Sequence, residues 1–171
     1  MLSAEHRRFL IVEQGVGPTL FNVALNGAIA WLLFRSATEI PLWGEQSVGV
    51  DLLATAFLLP FLTCVIVSRL IGGQVRSGKL PALPDHQIPD SGWSLRPAST
   101  RGLVLAAGAI LLGALPLVVA LSLGEARPFG VNAFMGFKAA WAGGMAAVVT
   151  PIVGWWALAH ASRAGSQPAD A

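Results

Sequence analysis

Among 171 residues, 54% are hydrophobic and only 12% charged, whereas a soluble domain carries about 25% charged residues. With a mean hydropathy of +0.66, that excess of apolar side chains excludes an ordinary soluble domain and calls for lipid. The formal charge of +2 leaves no electrostatic footprint for nucleic acid, and the single cysteine, Cys64, excludes an intramolecular disulfide or a cysteine metal cluster.

Residues Ser3 to Gln14 mix charge with Phe9, Leu10, Ile11 and Val12, as in a short helix lying at an interface or extending the first span inward. Gly15-Val16-Gly17-Pro18 punctuates it. Proline inside a helix removes a hydrogen bond, so a fresh start or a kink is expected there. Arg7-Arg8, the apolar run and Ala28-Ile29-Ala30 loosely fit a secretory signal, but apolar residues continue through Trp31-Leu32-Leu33-Phe34, which reads as an uncleaved anchor.

Four apolar runs are long enough to cross roughly 30 Å of hydrocarbon at about 1.5 Å per residue. They lie near 18–34, 48–71, 102–124 and 137–160. The expected fold is therefore all-α: a single membrane domain, an integral bundle of four transmembrane helices. In the first, Gly15, Thr19, Asn22, Asn26 and Ala30 follow three- and four-residue spacing, which lines small and polar groups along a face meant for protein.

A short loop with Glu39, Trp43 and Glu45 leads to the second run, which has Asp51 near its start and Pro60 near its middle. Residues 72–101 contain Pro81, Pro84, Pro89 and Pro97, the composition of an extended, surface-lying cytoplasmic linker. Ser99 or Thr100 then offers a cap for the third run, where Ala109 and Gly113 form a small-xxx-small pair. The fourth carries the device more strongly, with Ala139, Gly143 and Ala147 on one stripe, so tight packing of the third and fourth helices is expected. The tail 162–171 is small, polar and expected to be disordered.

Arg7, Arg8, Arg69, Arg76, Lys79, Arg96, Arg101 and Arg163 fall on one side of these spans, against Arg35, Arg127 and Lys138 on the other. Eight against three places both termini in the cytoplasm by the positive-inside rule. A faint echo links the two halves: Pro41-Leu42-Trp43-Gly44 precedes Asp51 much as Pro128-Phe129-Gly130 precedes Lys138, either the pattern of two parallel hairpins or, as so short a match favours, a chance resemblance.

Little in the chain carries chemistry. Asp51 and Lys138 have similar depth and either pair across helices or reach separately into the headgroups, the outcome that their nearness to the interface favours. Glu13 and Gln14, with Asn22 and Asn26, place a carboxylate at the mouth of a polar face, suited to a transported cation or proton but equally to interhelical hydrogen bonds. Pro18, Pro60, Pro116 and Pro151 frame a hinge or simply serve packing. Gly73-Gln74-Val75-Arg76-Ser77-Gly78-Lys79 imitates a phosphate-binding loop, but Leu80 replaces its magnesium ligand and no strand precedes it. His6, His86 and His160 fall outside or at the edge of the spans, so neither a haem, a metal, another cofactor nor a catalytic triad is expected, and the chain does not read as an enzyme.

Ile40-Pro41-Leu42-Trp43-Gly44, Asp51, Phe137-Lys138-Ala139 and Val149-Thr150-Pro151 resemble small uncharacterised proteins of the bacterial inner membrane, loosely labelled permeases. The chain also resembles the small multidrug transporters in its four spans and a carboxylate near the first, but departs from them in length, in its linker and in having Glu13 before the apolar run. The resemblance implies a permease-like transporter in the inner (plasma) membrane, homo-oligomeric because four helices enclose little space. The alternative is a non-catalytic accessory or scaffold subunit docked on a larger membrane protein. Transport predicts a wet polar cavity reached by Asn22, Asn26 or Asp51; a scaffold predicts a dry bundle with an exposed small-residue stripe.

Overall fold

The structure is a computed structural model describing residues 2–89, 92–93, 96–124 and 128–166. Four helices dominate it: α1 (Ala4–Phe34), α2 (Val48–Arg76), α3 (Ala98–Leu123) and α4 (Val131–Ser166). All four are long and apolar enough to cross a membrane.

Proline shapes the first and third helices in the same way. In α1 the backbone widens to π-helical turns over Phe9–Val16 and returns to α geometry at Gly17, one residue before Pro18. In α3 the widening covers Ile110–Ala114, and Pro116 is again the second residue of the resumed helix. A proline ring lacks the N–H and crowds the carbonyl of the preceding turn, so a wide turn ahead of it lets the chain pass without breaking. Pro18 therefore neither starts a new helix nor ends the old one. The interfacial segment expected over Ser3 to Gln14 is part of α1, whose first turn Ser3 caps by accepting from His6 N–H at 3.1 Å.

The Pro41-Leu42-Trp43-Gly44 lead-in folds back on the start of α2. Val48 and Gly49 N–H donate to the carbonyls of Pro41 and Leu42 at 3.0 and 2.9 Å, and Ser47 caps the helix. Gly49 is required here, because a Cβ would sit 2.9 Å from the Leu42 carbonyl oxygen. The α1–α2 and α3–α4 turns then meet: β1 (Glu39–Ile40) pairs antiparallel with β2 (Phe129–Gly130), sealed beneath by Phe34 and Phe134 packed edge to face at 5.1 Å. This is the turn end of the bundle.

Three expectations need correction at the opposite end. The cap of α3 is Pro97, with no side-chain hydrogen bond, rather than Ser99 or Thr100. The linker is a strap. Leu80 and Leu83 are buried against Phe9, Ile71 and Leu158, Leu83 N–H donates to Ser162 Oγ at 2.8 Å, and His6 Nε2 donates to the Pro81 carbonyl at 2.9 Å. Finally, α4 continues to Ser166, so the first part of the expected tail is helix; residues 167–171 lie outside the described residues.

Helix packing also departs from expectation. Instead of α3 pressing on α4, α3 lies along α2, and α4 lies against both α1 and α2. Glycines mark the close approaches. At Gly102 a Cβ would stand 3.1 Å from the Phe61 carbonyl oxygen on α2, and at Gly154 one would stand 2.8 Å from Gln14 Cγ on α1. Gly143 likewise leaves no room for a Cβ beside Val23 Cγ2, and Ala139 faces Gly27. Of the other residues assigned to packing, Gly113 receives the Trp141 ring, Ala109 is half-buried and Ala147 is exposed. Each hairpin thus sets its first helix on the other's second, while the two second helices meet in the middle. That reciprocity is the one expected of two like hairpins.

Candidate functional site

Because α1 and α2 both rest on α4 without closing on each other, a groove of about 790 Å³ runs between them. Its floor is polar. Lys138 and Thr150 come from α4, Asn22 and Asn26 from α1, and Asp51, Thr55 and Thr63 from α2, with Glu13 at the strap end. From Lys138 to Thr150 the floor follows α4 for about 18 Å at the rise of a helix. Its lips are apolar. Phe21, Leu25 and Ile29 on one side face Leu58, Leu62 and Ile66 on the other, all exposed, so the opening points sideways toward whatever surrounds the helices.

The spacing along α1 accounts for one wall. Asn22 and Asn26 lie one turn apart on one face, and each satisfies its amide through the helix itself: Asn22 Nδ2 donates to the Pro18 carbonyl at 2.9 Å and Asn26 Nδ2 to the Asn22 carbonyl at 3.1 Å. Their donors therefore serve α1, leaving the interhelical role expected of them unfilled. Asn22 Oδ1 also accepts from Asn26 Nδ2 at 3.5 Å, and the Asn26 side-chain oxygen remains as an acceptor in the groove.

Asp51 and Lys138 close the turn end as an ion pair, Lys138 Nζ donating to Asp51 Oδ1. Separate reach into headgroups is not what the geometry shows. The Lys138 side chain is 2% exposed and that of Asp51 10%, a burial that an unpaired charge would resist by several kcal/mol. Asp51 Oδ2 and Thr150 Oγ1 are buried without a hydrogen-bond partner. The floor thus keeps acceptor capacity beyond what the fold consumes.

Of the polar residues singled out in the sequence, Glu13, Asn22, Asn26, Asp51 and Lys138 line this groove, whereas Gln14 packs against Gly154. Thr55, Thr63 and Thr150 were missed, since an isolated threonine in an apolar run carries no signal. The groove's existence was missed too, but its cause is legible once the hairpins are matched. Counting from Asp51 in α2 and Lys138 in α4, the third residue onward is Ala54 in the first and Trp141 in the second. The Trp141 ring fills the gap between α3 and α4 against Gly113; Ala54 leaves the corresponding gap between α1 and α2 open.

Among the described residues, no group of histidine, cysteine, aspartate or glutamate side chains is gathered to hold a metal ion. No family model, curated protein or solved structure matches the chain.

Proposed function

We propose that the protein is a small, non-catalytic, permease-like membrane transporter whose path is the lateral groove between α1 and α2. The observation that carries this reading is the convergence of Glu13, Asn22, Asn26, Asp51 and Lys138 on a single groove with exposed apolar lips. A polar floor under apolar lips suits an amphipathic solute, with its polar group drawn along the acceptors and its apolar body toward lipid. Clustering of Arg7, Arg8, Arg69, Arg76, Arg96 and Arg163 toward the strap end supports an orientation with both termini cytoplasmic, and the bacterial inner membrane is the setting that the resemblance implies. Arg127, counted on the opposite side, lies outside the described residues.

An accessory or scaffold role is the second reading. It draws on the outer face of α4, where Gly136, Ala140, Gly144 and Ala147 are exposed and a Cβ at Gly136 or Gly144 would meet nothing. Such a stripe suits a second copy of this chain or a helix of a larger membrane protein.

Native mass measurement of the protein gently extracted from its host membrane separates the two. A homo-oligomer retaining a small amphipathic molecule, lost on Ala54→Trp, supports transport. A stoichiometric second protein, with no small molecule retained, overturns it in favour of the accessory role.

A further inference from the structure

A second cavity, also about 790 Å³, opens at the strap end between α2, α4 and the start of α3, away from the groove. Its chemistry is of one sign. Arg69 and Arg76 from α2, Arg96 from the strap and Arg101 from the first turn of α3 line it, and no described carboxylate does.

Arg101 is the anomaly. It is 1% exposed, and its guanidinium makes one bond, Nη2 donating to Ser68 Oγ at 3.3 Å, while Nε and Nη1 are buried without a partner. A guanidinium cannot shed its charge to escape this position, and burying one without a counter-ion costs several kcal/mol. The same cavity meets the uncapped N-terminus of α3, where Pro97 supplies no side-chain acceptor and the helix dipole is positive. A buried cation with idle donors, three exposed arginine forks and an open helix N-terminus together form a cradle with its anion missing.

We propose that this pocket binds a phosphate-bearing anion, either the headgroup of an anionic phospholipid or a soluble phosphate. Arg101 and the α3 N-terminus hold the phosphate from below, and Arg69, Arg76 and Arg96 close over its outer oxygens. The position suits a lipid because basic pockets between helices on the cytoplasmic side take acidic headgroups, and that source alone rests on the membrane reading. The site is independent of the groove, shares no residue with it, and stands or falls separately.

The test is thermal unfolding of the full chain in nanodiscs. Phosphatidylcholine discs titrated with inorganic phosphate are compared with chloride-matched controls, and with discs containing phosphatidylglycerol. Variants are Arg101→Gln and, chosen because both residues are exposed, Arg69→Gln/Arg96→Gln. Saturable stabilisation by phosphate assigns a soluble ligand; stabilisation by phosphatidylglycerol but not phosphate assigns a lipid headgroup. In either case the double variant weakens the effect about tenfold or more. No stabilisation by either probe, or stabilisation undiminished in the double variant, overturns the proposal.

Discussion

Asp51 and Lys138 join the second helix of one hairpin to the second helix of the other, and both side chains are withdrawn from the surface. Removing one partner strands the other, which for a buried pair costs about 3–5 kcal/mol. Asp51→Asn and Lys138→Gln should each lower stability strongly. The double variant should lose less than their sum by roughly 1–3 kcal/mol, measured by reversible unfolding in detergent micelles. Strictly additive losses would show that the two charges do not act on each other.

The α1–α4 contact makes a sharper packing prediction. Because Gly143 has no space for a Cβ beside Val23, Gly143→Ala should destabilise the bundle by about 1–3 kcal/mol. Adding Val23→Ala should recover much of the loss, since the obstructing methyl group is then gone. A Gly143→Ala protein as stable as the parent, or one not helped by Val23→Ala, would contradict the interface.

How much of this was legible in advance can be argued residue by residue. Four helices followed from apolar length alone, and the polar face of α1 followed from the spacing of Asn22 and Asn26, because both depend only on neighbours in sequence. Which helices touch did not follow. The small residues of α3 and α4 marked both as close-packing but do not encode the partner, so pairing them with each other failed; the structure gives Gly102 to α2 and Gly143 to α1. Burial of Arg101 was equally hidden, since a basic residue at a helix end reads as an orientation signal whether it faces water or a cavity. Proline density in the strap suggested extended chain correctly in part, but Leu80 and Leu83, its only strongly apolar residues before Ile88, were the sign that it docks.

That docking is open to a protease test. Ser162 Oγ accepts from the buried Leu83 N–H and donates its own O–H to the Leu158 carbonyl, both at 2.8 Å. Ser162→Ala leaves a buried donor unmet, at a local cost of about 1–3 kcal/mol, so trypsin should cut after the exposed Lys79 faster than in the parent. Equal cleavage rates would mean that the strap is not held at this point.

The difference between Ala54 and Trp141 predicts how the groove can be closed without touching its polar floor. Ala54→Trp should fill the gap between α1 and α2 as Trp141 fills the other, leaving unfolding temperature near the parent value while abolishing retention of any bound amphipathic molecule. In the opposite sense, Trp141→Ala should cost about 3–5 kcal/mol, because it empties a packed position. Strong destabilisation by Ala54→Trp would show that the space is occupied by protein.

The central claim, that a laterally open groove with polar groups along its floor runs between α1 and α2, is tested most directly by cysteine accessibility. Cys64 is fully buried, so Cys64→Ala gives a background without reactive thiols. Single cysteines at Asn22 and Thr63 on the groove, and at the buried Ala106 and Ala142, would be exposed in membranes to a small charged thiol reagent. The account predicts rapid modification at positions 22 and 63, protection of both by Ala54→Trp, and no reaction at 106 and 142. Unreactive cysteines at both groove positions, or reactivity that Ala54→Trp leaves unchanged, would contradict it.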